Sequence, residues 1–193
     1  MVDRCKASLN AETVPPRRRT LLRRLLRQER GATMVEFAII AVPLFVLIFG
    51  IIEVAFIFWG TYELENATTD AARLIRTGRA QQDGLDTGGM AARICGRTTL
   101  LANCSSKIRL DVRTFASFNG ITAANPADAG GQLQTSGSFS YEPGGPGEIV
   151  LVTTFYEWPL INFATSFSLS NMSSGNRLLR ASVVFRNEPF RNQ

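Results

Sequence analysis

Apolar and polar residues are sorted along this chain into blocks with different periods. The longest block runs from Phe37 to Trp59 and holds one charge, Glu53. At about 1.5 Å per helical residue, a run of this length crosses the roughly 30 Å hydrocarbon layer of a membrane. A secretory signal has an apolar core of only about 7–15 residues, closed by a small-residue cleavage site. This run is longer and has no such site after it, so the sequence predicts a retained membrane helix over about 37–59. Pro43 and Gly50 lie inside it, and the missing amide of Pro43 predicts a kink or local unwinding there. Trp59 and Tyr62 suit the far membrane interface.

Helical spacing then continues with a different partition. Leu64, Ala67, Ala71, Leu74 and Ile75 form one stripe, with Glu63, Glu65, Asp70, Arg73 and Arg76 elsewhere. One helix over 32–77 is predicted, about 69 Å long, with Gly78 as its C-terminal cap. Asp83–Gly89 reads as a polar linker and Gly89–Thr99 as a short helix bearing Met90, Ile94 and Cys95. Lys107–Phe115 alternates as a half-exposed strand, with Ile108, Leu110 and Val112 opposite Lys107, Arg109, Asp111 and Arg113. Residues 116–146, rich in Gly, Ala, Ser and Asn, read as a long surface loop or a partly ordered excursion. Glu148–Tyr156 is expected as a central strand. Leu178–Arg186 is expected as another, with Leu179, Ala181, Val183 and Phe185 on one face. The predicted class is α+β: a long N-terminal helix, transmembrane then amphipathic, packed on a small antiparallel sheet.

Charge divides the chain at one point. Residues 1–31 hold nine Lys or Arg against Asp3, Glu12 and Glu29, or 9 − 3 = +6. The remainder holds 21 − 9 = 12 basic and 16 − 3 = 13 acidic residues, or −1. All excess basicity therefore precedes the apolar run. Basic flanks stay cytoplasmic, so the expected orientation is N-terminus in and residues 78–193 exported. With the charge placed there, a nucleic-acid partner has no compositional support. Within the leader, Leu21, Leu22, Leu25 and Leu26 sit among arginines. They describe either a basic amphipathic helix on the membrane face or a positive flank with incidental leucines.

The chain has no histidine. That removes Ser-His-Asp and Cys-His nucleophile pairs. It also leaves zinc only thiolates and carboxylates, and the chain has three cysteines. No paired-acid or phosphate-loop motif is present, so neither an enzyme nor a cofactor is expected. Cys5 lies in the leader. Cys95 and Cys104 follow the membrane run, and in an exported domain such a pair forms a disulfide; in a cytosolic one it stays reduced.

At the junction, Arg30-Gly31-Ala32-Thr33-Met34-Val35-Glu36 joins the basic leader to the apolar helix. A carboxylate at the mouth of a membrane segment is costly and calls for an explanation. Glu36 can meet a cation in an apolar bundle, or it can close a capping box with Thr33. Glu53 can contact another subunit, be protonated, or sit near the far interface. This stretch resembles a type IV prepilin processing site, with the cut between Gly31 and Ala32 and Glu36 as residue five of the mature chain.

The resemblance extends through Pro43, Phe49-Gly50-Ile51-Ile52-Glu53 and Asn66-Ala67-Thr68-Thr69-Asp70-Ala71-Ala72-Arg73. It continues in Cys95, Cys104, Asp111-Val112-Arg113-Thr114-Phe115, Tyr156-Glu157-Trp158-Pro159 and Phe185-Arg186-Asn187-Glu188-Pro189-Phe190. Together these are similar to the TadE-like proteins, pseudopilins or minor pilins of the tight-adherence (Flp) pilus. The resemblance implies a pilin-like fold, cleavage by a prepilin peptidase at Gly31–Ala32, and pairing of Glu36 with a neighbour's freed N-terminus. It also implies other pilins, the assembly machinery and the inner membrane as partners, in support of adherence and biofilm formation. Major Flp pilins are very short, so the domain after the helix points to an initiating or tip role. The other function compatible with the residues is an unprocessed single-pass protein whose exported domain binds a partner or surface ligand.

Overall fold

The computed structural model describes residues 31–161 and 168–191. The leader, with its leucine stripe and Cys5, lies outside the described residues. The chain divides into two compact units, one ending at Leu47 and one running from Ile48 onward.

The described part of the first unit is the opening of helix α1, which spans Ala32–Arg76. The helical assignment is unbroken through Pro43. Local unwinding is therefore not seen, and the proline costs the ladder one hydrogen bond. Most side chains here are apolar and exposed, among them Met34, Phe37, Ile40 and Leu47.

The second unit holds the rest of α1, three short helices and the sheet. The helices are α2 (Arg79–Gln82), α3 (Thr87–Cys95) and α4 (Cys104–Lys107). The strands are β1 (Ile108–Phe115), β2 (Ile149–Trp158) and β3 (Arg177–Arg186), all antiparallel in the order β1-β2-β3. Register places Val112 opposite Val152 and Val152 opposite Val183. One sheet face thus carries Ile108, Leu110, Val112, Val150, Val152, Tyr156, Leu179 and Ala181. All of these are buried in one cluster with Leu64, Ala67, Ala71 and Ile75 of α1. The predicted amphipathic stripe is the helix side of this core. Its alanines leave room for the sheet to approach, and each large aliphatic side chain buried there contributes about 1.5–3 kcal/mol.

α1 stops where Gly78 turns left-handed, at φ 76°. The Thr77 amide returns to the Arg73 carbonyl and the Gly78 amide to that of Ile75, which satisfies the last turn. The C-terminal strand end docks there. The Glu188 amide donates to the Arg76 carbonyl at 2.9 Å, and Arg76 Nε pairs with Glu188 at 3.3 Å.

Three expectations are corrected in detail. The stretch 83–89 is not all linker, because Asp86 caps α3 by accepting from the Gly89 amide at 2.7 Å. The helix therefore starts at Thr87, and it ends at Cys95 rather than Thr99. β1 is not half-exposed in the simple sense. Asp111 is fully buried, with Arg113 Nε at 2.9 Å and the Ser140 amide donating at 3.0 Å. The cause is the 116–146 excursion. It folds back so that the Val112 amide donates to the Ser140 carbonyl and the Glu142 amide to the Val112 carbonyl. Phe139 of the same excursion meets Phe155 at 5.5 Å between ring centroids, and Arg180 lies over the Phe155 ring. β2 is consequently buried on both faces, as its continuous apolar character suits.

A β-carbon at Gly78 would lie 2.3 Å from the Phe190 ring. Gly78→Ala should therefore destabilise the protein by ~2 kcal/mol or more, from the left-handed backbone and the overlap together. Urea unfolding in detergent measures this. Adding Phe190→Ala should return the steric part only; a purely additive pair would show that the ring is not the obstacle.

Candidate processing and assembly site

The predicted site residues occupy three places. Gly31 is exposed and precedes the helix, and a β-carbon there would meet nothing within 4 Å. Ala32 is the first residue of α1. Glu36 lies one turn further in, exposed. A capping box needs Thr33 outside the helix, but Thr33 is already inside it. Glu36 is therefore an exposed acid on a largely apolar stretch of helix. That helix is long and apolar enough to cross a membrane by length and composition.

Glu53 has an intrachain partner that the sequence did not suggest. Its Oε1 accepts the Ile161 amide hydrogen at 2.7 Å. Ile161 follows β2 in the segment Trp158-Pro159-Leu160-Ile161. The start of that segment packs on the same helix two turns on. A β-carbon at Gly60 would lie 2.6 Å from the Trp158 ring, so only glycine admits the indole. Spacing along the chain gives no signal for this pairing, because 108 positions separate the two residues.

Cys95 and Cys104 are joined, with Cα atoms 5.6 Å apart. The bond closes a short loop that α1 holds through Glu63. That carboxylate accepts from the Thr99 amide at 3.0 Å, the Thr99 hydroxyl at 2.6 Å and the Leu100 amide at 3.0 Å. Arg97 reaches Asp70 of α1 at 3.0 Å, and the Tyr156 hydroxyl donates to the Ala102 carbonyl at 2.6 Å. Sequence reasoning placed Glu63 only on the polar side of the helix. Its role emerges once the cysteine loop is folded against it. In the cysteine loop the N–H groups of Thr99 and Leu100 would otherwise lack acceptors.

The titratable groups are tuned away from neutrality where a shift is resolved outside the membrane helix. Burial, with the Asp86 charge second, pushes the Tyr141 phenol up to about 12, and burial also raises Tyr156. Glu157 is lowered by hydrogen bonds from the Ser174 hydroxyl at 2.5 Å and the Asn176 amide at 2.9 Å. These outweigh its partial burial, and Lys107 and Arg109 assist. Among the described residues no three His, Cys, Asp or Glu side chains converge as metal ligands would.

Taken together, one helix able to span a membrane continues into a disulfide-bonded α+β domain. Residues 31–73 match the family model described as TadE-like protein. The matched stretch starts at Gly31 and takes in Glu36, Pro43, Glu53 and Glu63, so this part of the chain is similar to TadE-like proteins. The match supports a protein associated with the tight-adherence pilus. No curated protein matches the chain, and no solved structure does.

Glu157 ties the end of β2 to the turn before β3, and its folded-state pKa is depressed. Its contribution is therefore present above the unfolded carboxylate value near 4.3 and is lost as pH falls through the lower folded value. Glu157→Gln should cost ~1 kcal/mol at about pH 7, with a gap to wild type that narrows as pH falls below the unfolded carboxylate value. Thermal unfolding across that range measures it. A gap independent of pH would show that charge at Glu157 is not involved.

Proposed function

We propose that the chain is a minor pilin or pseudopilin that acts structurally in assembly of a tight-adherence type IV pilus, at initiation or at the tip. The observation that carries this reading is the TadE-like match. It begins at the glycine that separates the basic leader from a helix continuous from Ala32. A prepilin peptidase needs a small residue before the cut and an accessible peptide. Gly31 is exposed and unobstructed, and its lack of a side chain suits both needs. Cleavage creates a free amine at Ala32. In an apolar bundle an exposed Glu36 is stabilised only by a cation, and the amine of a neighbouring subunit is the nearest one available.

In this reading the N-terminus is cytoplasmic and the domain after α1 lies outside the inner membrane, where the Cys95–Cys104 bond is chemically stable. The domain works by contact rather than catalysis, a reading supported by a chain with no histidine to act as a general base. Its partners are the prepilin peptidase, other pilins and the assembly machinery, and its output is adherence and biofilm formation.

Gly31→Leu should abolish cleavage without affecting membrane insertion. A side chain at Gly31 meets nothing in the chain itself, so the loss arises in peptidase recognition. Intact mass of the membrane-extracted protein decides it. A species starting at Ala32 is expected in wild type and the full-length species in the variant. A full-length wild-type chain in cells that make the pilus would instead establish the unprocessed anchor. Glu36→Ala should be cleaved normally yet lower surface pili by about tenfold, the scale set by losing one buried charge-assisted contact per subunit. Unchanged piliation would exclude the Glu36–amine pairing.

A further inference from the structure

We propose that Glu53 marks the outer hydrocarbon boundary of the membrane, and that the stretch Trp158-Pro159-Leu160-Ile161 seats the domain in the phospholipid headgroup layer. The proposal rests on the membrane-anchored reading above and adds a lipid-contacting surface to it. Trp158 packs at Gly60, and the Ile161 amide binds Glu53. Gly60 and Glu53 are 60 − 53 = 7 helical residues apart, about 10 Å along the axis. Trp158 to Ile161 is three extended steps, also about 10 Å. The segment therefore runs along α1 toward the membrane. Pro159 has no amide hydrogen and cannot extend the ladder of β2. Leu160 packs against the core, and Ile161 is left 62% exposed at the lowest described point of the segment.

Two depths can be compared. If the membrane span ends at Trp59, as the apolar run alone suggests, Glu53 and the Leu160–Ile161 backbone lie about 9 Å inside the hydrocarbon. Irregular backbone facing lipid at that depth has no acceptors or donors around it, and such placements do not occur. If the span ends at Glu53, the helix before it still suffices. Ala32–Ile52 is 52 − 31 = 21 residues, about 31 Å, against a layer of about 30 Å, and the one charged residue within it is Glu36, which the assembly reading pairs with an amine. Glu53 then sits at the boundary with its carboxylate already bonded. Phe56, Phe58, Trp59 and Tyr62, all exposed, fall in the headgroup layer, where aromatic side chains are favoured. Lipid fits this surface because its exposed side chains are aromatic, the type favoured in a headgroup layer.

Trp59 and Trp158 are the only tryptophans, which makes depth measurable by fluorescence. The full chain carrying Trp59→Phe, Trp158→Phe and Ile161→Trp is reconstituted sparsely into phosphatidylcholine–phosphatidylglycerol liposomes. These contain phospholipid brominated either near the top of the acyl chain or near its end. The expected result is quenching at least about twofold stronger by the shallow label than by the deep one, as for an interfacial side chain. A chain that keeps Trp59 as its sole emitter, through Trp158→Phe, should behave alike. Adding Glu53→Ala should release the segment and cut shallow quenching at the Ile161 position by about half, while Glu53→Gln, which keeps an acceptor oxygen, should retain it. Absent quenching at the Ile161 position in liposomes that still carry the protein overturns the proposal, and so does stronger quenching by the deep label. Failure of the protein to float with liposomes overturns the membrane anchor itself, a separate result.

Discussion

Burial of one helical stripe under the sheet is the contact on which the domain depends. Leu64, Ala67, Ala71 and Ile75 face the inward side of three strands too few to be stable alone. Alanine at two of these positions brings the sheet close. Leucine and isoleucine at the ends supply most of the apolar area. Before about residue 60 the same helix is apolar apart from Glu36 and Glu53, which suits it to cross a membrane, whereas its second part is apolar only on the stripe under the sheet.

Carboxylates fasten the loops to this helix. Glu53 takes the amide of Ile161, and Glu63 takes those of Thr99 and Leu100. In each case an acid on the helix satisfies backbone donors in a segment without regular structure. A charged acceptor makes a stronger bond than a neutral one, so a few such contacts hold a loop that has little apolar area of its own. The Cys95–Cys104 bond and the Tyr156 hydroxyl limit the same cysteine loop from the other side. The loop is thus held at both its covalent neck and its tip.

The far face of the sheet shows a different economy. Phe155, Thr153 and Asp111 are fully buried there although the excursion covering them is poor in large apolar residues. Cover comes from Phe139, from Arg180 lying over an aromatic ring, and from backbone bonds along the edge of β1. Those edge bonds also occupy part of a strand edge that would otherwise be open to pairing with another chain.

By itself the sequence determined whatever depends on local period and on composition. The membrane run, the amphipathic stripe to Ile75, the turn at Gly78 and the three strands could be read because each repeats a spacing that one face of an element imposes. The sequence singles out Gly31, Ala32 and Glu36 because charge, glycine and apolar helix adjoin there in the chain. Which polar residues escape solvent depends instead on how distant segments pack. Asp111 alternates like an exposed residue yet is buried, because distant Ser140 supplies its hydrogen bond. Glu53 reads as an isolated acid in an apolar run yet has a partner more than a hundred positions away. Hydrogen bonds between segments far apart leave no period behind them, so folding alone reveals them.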